Sequence, residues 1–241
     1  MSKLTSSNQG HCPCCEHEVQ FNLWEGNFRD GYLCGRCGSV PRERALIVAI
    51  ETFYHNWREL KIHESSPANR GASLTLARGC QGYVSSQFHP SVPEGGNHPI
   101  EGWRCENLER QTFADESFDL VITQDVLEHV FDPDATMREI ARTLKKGGAH
   151  IGTVPLVRGR QPSLACAIRN PDNSITHYVD PPEYHGNPVD GNGSLVTFWW
   201  GYDFANRIDL AAPLNTLLYQ IVDRGRGIDG PLTEVLVSFK V

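Results

Sequence analysis

The sequence has no run of about 18 consecutive apolar residues, which argues against a membrane-spanning helix. Its first residues, MSKLTSSNQG, lack the apolar stretch of a secretory signal, so a cytoplasmic location is expected. A surplus of positive charge is missing too. Lys and Arg total 22 against 29 Asp and Glu, a formal net charge of −7, so a polyanion is not the expected partner and nucleic-acid binding is disfavoured. Internal repeats and low-complexity tracts are absent. What remains is a 241-residue chain with 39% apolar residues, enough to bury the core of one α/β domain with a small appendage.

Cysteine is not scarce: there are 8, and without a secretory signal they read as metal ligands and buried thiols rather than disulfides. Cys12-x2-Cys15 and Cys34-x2-Cys37 have the paired spacing of a closed tetrahedral zinc site, which leaves no open position and is therefore structural. Cys14 and His11 compete for the same role. Four reduced thiols in a small core is the plainer alternative, but so short a segment has too little apolar surface to fold without a staple. Residues 1–41 are accordingly expected to form a zinc ribbon, with Val19, Phe21, Trp24 and Tyr32 on its strands. Past Pro41 the spacing of Ala45, Leu46, Ala49, Ile50 and Phe53 predicts a helix with one apolar face, joining the ribbon to a main domain over 42–241.

In that domain strands and helices alternate. The strand segments are KIHES, GYVSS, WRCENL, FDLVIT, AHIGTVPL, LNTLLYQIV and TEVLVSFKV, seven in all. Helices fall over ASLTLARG, over DPDATMREIARTLKKGG and around WGYDFANRIDLAA; in the second, Asp132 can cap the start and Pro133 takes the first helical position. Such alternation predicts an open, mostly parallel sheet with helices on both faces, and ligands of such sheets bind at the carboxyl ends of the strands.

The stretch ENLERQTFADESFDLVITQDVLEHVFDPDATMREIARTLKKGGAHIGTVP resembles the second half of a class I S-adenosylmethionine-dependent methyltransferase domain of the type 11 kind. The match runs over F-x-D-x-S-F-D-x-V, x-L-E-H-V-x-D-P and E-I-x-R-x-L-K-x-G-G. A ribbon ending in C-G-S-x-x-R-x-R-A-L ahead of such a domain is similar to a known bacterial arrangement. The resemblance implies a Rossmann-like, seven-stranded α/β fold, S-adenosylmethionine as cofactor, and methyl transfer as the activity. It also exposes a shortage. HESSPANRG, residues 63–71, holds one glycine where the family has a glycine-rich turn. Aligned on the strand, Glu64 takes the family's acidic position and is expected to meet the cofactor's ammonium. Ser65, Ser66 and backbone N–H groups ahead of the next helix are expected to receive its carboxylate. Asn69 tolerates left-handed geometry and Gly71 allows close helix packing. Gln87 stands in for the ribose-binding acid, and Asn107 with Leu108 falls where the adenine is expected. Gln124 and Asp125, at the end of the fourth strand, are expected to face the methyl group, with Asp125 in a catalytic role. Asp125 and Glu128 can equally form a helix capping box over buried Leu127 and Val130, and His129 is a base or a packing residue.

Residues 157–196 are rich in Pro, Gly and Asn and too long for an ordinary connection, so a substrate lid is expected there. Its His185 and Tyr184 are candidate base and stacking partner for the acceptor, with Pro188 limiting the loop's conformations; the alternative is a solvated loop. The expected partner is a small-molecule or sugar-linked hydroxyl or amine. Two rival functions are a ribosomal RNA guanine methyltransferase, which would need a basic surface, and a non-catalytic zinc-ribbon scaffold whose cofactor site has decayed.

Overall fold

The cysteine-bearing segment folds as a three-stranded antiparallel sheet in the computed structural model, which describes residues 3–25, 27–187, 189 and 191–241. Pro188 lies outside the described residues. Strands β1 (Leu4–Cys12) and β2 (His17–Trp24) form a hairpin with Cys12 and Cys15 at its tip. The short α1 (Phe28–Gly31) leads into β3 (Tyr32–Cys34), which pairs with β2 and brings Cys34 and Cys37 alongside.

Helix α2 (Pro41–Phe53) starts at its proline, and of the predicted apolar face Ala45, Leu46, Ala49 and Ile50 are buried and Phe53 is half-buried. Ile47 and Val48, outside that face, are buried as well. The helix has two partners rather than one: Cys12, Phe21, Tyr32 and Cys34 of the ribbon share a single core with α2 and with Ile62, Leu120 and Ile151 of the main sheet. Arg44 accounts for the second arginine of the R-x-R motif. Fully buried on α2, it donates to the Gly227 carbonyl through Nε (2.9 Å) and Nη2 (2.6 Å), and to the carbonyls of Tyr32 (2.8 Å) and Ser39. A buried guanidinium is costly unless its N–H groups find acceptors, and here those acceptors fasten ribbon, helix and the 224–227 turn together. Gly227 has φ 68°, and a Cβ there would lie 2.5 Å from the Phe21 ring, so the turn and the ribbon touch without room for a side chain.

Strands β4 (Lys61–Ser65), β5 (Gly82–Gln87), β6 (Arg104–Cys105), β7 (Phe118–Gln124) and β8 (Leu144–Thr153) run parallel, with α3 (Gly71–Gly79) between β4 and β5 and α4 (Pro133–Thr143) between β7 and β8. The expected strand over WRCENL shrinks to two residues. The Glu106 N–H makes the last ladder bond, to the Gln87 carbonyl (2.9 Å); beyond it the Glu106 carboxylate accepts from the Thr112 N–H (2.8 Å) and Asn107 Oδ1 from the Glu109 N–H (2.9 Å), which turns the chain away. Helix α4 begins as predicted, with the Ala135 N–H donating to Asp132 Oδ1 at 2.8 Å. The capping box at Asp125 and Glu128 does not form, because residues 125–131 are a turn rather than a helix start; Leu127 and Val130 are nevertheless buried.

The expected long loop is not structureless. It carries β9 (Leu164–Ala165), β10 (Ala167–Arg169), β11 (Ile175–His177), β12 (Tyr184–His185), β13 (Ser194–Leu195) and β14 (Phe198–Trp199), paired β9 with β14, β10 with β11 and β12 with β13. After α5 (Asp203–Ala211), strands β15 (Leu214–Tyr219) and β16 (Val235–Lys240) complete the sheet in antiparallel sense. The seven-stranded order is β15-β16-β8-β7-β4-β5-β6. This is the expected Rossmann-like α/β fold. Among the described residues no helix is long and apolar enough to cross a membrane.

Candidate functional site

Strand order reverses between β4 and β7, and ligands of open α/β sheets bind beyond the carboxyl ends at such a switch point. The segments that follow β4, β5, β6 and β7 open there into one cavity of about 1520 Å³. A small-molecule pocket ordinarily has about 300 to 1,000 Å³. This one has room for two ligands side by side.

The glycine-poor turn forms the first wall. Its left-handed residue is Ser66 (φ 55°), not Asn69, and the Ser66 N–H donates to the Ser86 carbonyl at 2.8 Å. The single glycine sits where one is required: Gly71 has φ 50°, and a Cβ on it would lie 2.1 Å from Glu43 Oε2. Glu43, buried on α2, is held by the Val40 N–H (3.0 Å) and by Arg70 Nε (3.0 Å). Ser65, Ser66 and Asn69 face the cavity.

The second wall carries Gln87, Asn107 and Leu108, all lining the cavity. Gln87 is 9% exposed, its Nε2 donates to the Pro67 carbonyl at 3.4 Å, and its Oε1 has no hydrogen-bond partner. A buried orphan acceptor at a cavity wall is the observation that favours a ligand with hydroxyl donors. Asn107 spends its Oδ1 on the Glu109 N–H, which leaves its amide NH2 group for a ligand.

Two expected site residues are placed differently from the sequence expectation. Glu64 is fully buried behind the wall, accepting from Ser73 Oγ (2.6 Å), Tyr83 Oη (2.8 Å) and Gln124 Nε2 (2.6 Å). Burial raises its pKa against those three donors. The amide of Gln124 is drawn inward with it, although the residue still reaches the cavity. Asp125, in left-handed backbone (φ 52°), is ion-paired with Arg29 and with Arg42 Nε (2.7 Å), and accepts from Thr153 Oγ1 at 3.1 Å. Burial pushes the Asp125 carboxyl up, but Arg42 and then Arg29 outweigh it and hold it below the ordinary value. Asp125 lines the cavity as expected, but a carboxylate held by two arginines is a poor base, and the same ion pairs tie the seam between ribbon and sheet.

Those arginines were not singled out in the sequence. Arg29 comes from α1, Arg42 from α2, and with Asp30 they form a third wall of the cavity. The signal was present in R-x-R: Arg42 and Arg44 point to opposite sides of the helix start, one to the cavity and one to the ribbon core.

The roof is the β12–β13 hairpin. Tyr184 is 55% exposed at the cavity's rim, and His185 reaches in to place Nδ1 3.7 Å from Glu128 Oε1. His129 Nε2 lies 3.8 Å from the same oxygen. Glu128 and then Glu183 raise the His185 pKa against the opposing effect of burial. Thr197 anchors the insertion by donating through its N–H (2.8 Å) and Oγ1 (3.0 Å) to the Glu128 carbonyl.

Away from the cavity, the Sγ atoms of Cys12, Cys15, Cys34 and Cys37 all lie within 4.8 Å of one another, with Cys12–Cys37 at 3.8 Å and Cys15–Cys34 at 4.0 Å. Zinc–sulfur bonds of about 2.3 Å in a tetrahedron put sulfurs about 3.8 Å apart. Cys14 is outside this group, packed in the ribbon's core, and His11 Nδ1 pairs with Glu18 at 3.3 Å on the surface.

Residues 85–152 match a family model described as "Methyltransferase domain". No curated protein matches the chain's sequence. Among solved structures, the chain is similar to an S-adenosylmethionine-dependent methyltransferase from Mesorhizobium loti, with a TM-score of 0.50 and 14% identity over 80% of this chain and 96% of that one. It is also similar to CalS10, an amino pentose methyltransferase from Micromonospora echinaspora solved with S-adenosylmethionine bound, with a TM-score of 0.53 and 12% identity over 85% and 93% of the two chains. DesVI of Streptomyces venezuelae gives a TM-score of 0.50 and 10% identity over 83% and 92%. Together with the strand order, these likenesses show that the chain has the fold of these methyltransferases, and residues 85–152 carry the sequence match to a methyltransferase domain.

Proposed function

We propose that the chain transfers a methyl group from S-adenosylmethionine to a hydroxyl or amine of a small-molecule or sugar-linked acceptor, and that its ribbon holds one structural zinc. The observation that carries the cofactor assignment is the orphaned, buried Oε1 of Gln87 beside the Ser65–Asn69 turn, in a cavity at the switch point of the sheet. The cofactor supplies an electrophilic methyl on a sulfonium. Gln87 Oε1 accepts from the ribose hydroxyls, and the amide NH2 of Asn107 with the side chain of Leu108 meets the adenine. Ser65 and Ser66 at the end of β4, with Arg70 at the start of α3, suit the carboxylate; Glu64 supports this turn from behind through Ser73 rather than touching the ligand.

The acceptor occupies the other half of the cavity, under the β12–β13 hairpin, which acts as the lid. Its proton leaves at the end of the cavity formed by Glu128, His129 and His185. A small or sugar-linked acceptor suits a cavity roofed by a hairpin and a chain with net charge −7, and the amino pentose that CalS10 methylates is of that class. The four cysteines, at tetrahedral separations, suit zinc with no open position, so the metal serves the fold and the Arg29–Asp125 seam rather than the reaction.

The test is calorimetry with S-adenosylmethionine on the zinc-loaded protein. One site per chain, lost or weakened in Gln87→Ala, is the expected result. No detectable binding would overturn the proposal in favour of a non-catalytic scaffold.

A further inference from the structure

Glu128 is the anomaly of the cavity. Its side chain is 1% exposed, yet neither carboxylate oxygen has a hydrogen-bond partner among the described residues, and the two imidazole nitrogens nearest to it stand at 3.7 and 3.8 Å, beyond hydrogen-bond range. An unsatisfied buried carboxylate is one of the costliest groups a fold can carry. Something of positive charge fits between it and its neighbours.

The neighbours are oriented for a specific occupant. His129 Nδ1 lies 2.8 Å from the Leu195 carbonyl, so that nitrogen is the one protonated and Nε2 turns its lone pair toward Glu128. His185 Nε2 lies 3.1 Å from Glu183 Oε1; in the neutral ring a proton held there leaves the Nδ1 lone pair toward Glu128, the form in which His185 can ligate a cation. Glu183 is itself fixed by the Trp199 indole N–H at 2.7 Å. A histidine with its far nitrogen donating to a carbonyl or carboxylate and its near nitrogen bare is the arrangement that orients metal ligands. The three donor atoms lie within 4.8 Å of one another, and the Glu128 oxygen is 3.7 and 3.8 Å from the two nitrogens; bonds of about 2.0 to 2.2 Å to one ion need separations below about 4.4 Å, so at most a small side-chain adjustment seats it.

We propose that Glu128, His129 and His185 bind a divalent transition-metal cation at the acceptor end of the cavity, distinct from the ribbon's zinc, and that its open positions take oxygen ligands of the acceptor. Two imidazoles and one carboxylate suit Mn²⁺, Fe²⁺, Co²⁺ or Zn²⁺ and leave a face open. A hydroxyl seated on that face loses its proton at lower pH than a free one. The inference rests on the methyltransferase reading and deepens it, making His185 a ligand rather than a free base.

Mn²⁺ separates the two metal sites, because this harder cation prefers nitrogen and oxygen donors and does not displace zinc from four thiolates. The experiment titrates protein carrying one zinc per chain by metal analysis with Mn²⁺ at pH 8, following free Mn²⁺ by electron paramagnetic resonance, with calorimetry of S-adenosylmethionine on the same samples. One saturable Mn²⁺ per chain is expected, abolished in His185→Asn and Glu128→Gln. In Glu183→Gln, which removes the charge beside His185 and keeps an oxygen for the Trp199 N–H, it is expected to weaken at least about tenfold. Absence of saturable Mn²⁺ binding, or binding unchanged in all three variants, overturns the cation site. If S-adenosylmethionine still binds in that case, the methyltransferase reading stands without it; if neither ligand binds, both fall.

Discussion

Asp125 decides between two accounts of the fourth strand's end. In the sequence it occupies a position that faces a transferred methyl; in the structure it bridges Arg29 and Arg42. Asp125→Asn keeps the size and the tolerance of left-handed backbone that φ 52° demands, and can keep the Thr153 hydrogen bond, while removing the charge. Breaking a fully buried ion pair costs about 3 to 5 kcal/mol because a charge is left stranded. Here the three side chains are 15 to 18% exposed, Arg42 retains Asp30 at 2.8 Å, and Arg29 retains the Leu232 carbonyl at 3.1 Å. The expected loss at neutral pH is therefore smaller, about 2 to 3 kcal/mol. The sign of its pH dependence follows from the depressed pKa. A carboxyl lowered in the folded state contributes stability above its unfolded pKa of about 3.9, and that contribution disappears as pH falls through the folded value. Urea denaturation of both proteins at pH 7 and again in the acid range is expected to show a gap that narrows on acidification. A variant as stable as the wild type at pH 7 but devoid of turnover would refute the structural role and return Asp125 to the chemistry.

Cys34→Ser is expected to lose zinc by metal analysis and to lower the urea midpoint, since the ribbon shares its core with the main sheet. Gly71→Ala meets both a left-handed backbone and the Glu43 carboxylate at 2.1 Å, so a thermal melt is expected to report a loss of at least about 1 kcal/mol. Gln87→Ala is expected to weaken S-adenosylmethionine binding by about 0.5 to 1.5 kcal/mol in calorimetry; the melting temperature of the free protein is expected to fall only modestly, since the one hydrogen bond lost within the protein is the long 3.4 Å contact to the Pro67 carbonyl.

What periodicity and spacing encode was legible. Most strand and helix segments from Lys61 to Thr153, the Asp132 cap and the final strands Leu214–Tyr219 and Val235–Lys240 follow from local pattern, although the expected helical end at LKKGG is the start of β8. Where the sequence reading departs from the fold, side-chain contacts that periodicity does not encode decide. The strand at Arg104 stops early because Glu106 and Asn107 have partners at Thr112 and Glu109. Glu64 looks like a cofactor ligand from its place at a strand end, but Ser73 and Tyr83 close over it. The turn at 63–71 departs from glycine-rich spacing because Ser66 takes the left-handed position, and the one glycine is needed for the approach of Glu43.

The acceptor end of the cavity was the least legible part, and the reason is geometric. Glu128 and His129 are adjacent in sequence, a pair that in a helix or strand points in different directions. In the 125–131 turn both face the place where His185 arrives. No spacing rule joins residue 128 to residue 185; the hairpin does, held by Thr197 on the Glu128 carbonyl and by the Leu195 carbonyl on His129. The same backbone contacts that dock the insertion also set the imidazole of His129. Docking of the insertion and assembly of this end are therefore one event. Loosening the hairpin, for instance with Thr197→Val, is expected to weaken Mn²⁺ binding while leaving the Gln87 side of the cavity and its affinity for S-adenosylmethionine intact. Equal losses of both ligands in that variant would mean that the two halves of the cavity form together, and the independence argued here would be wrong.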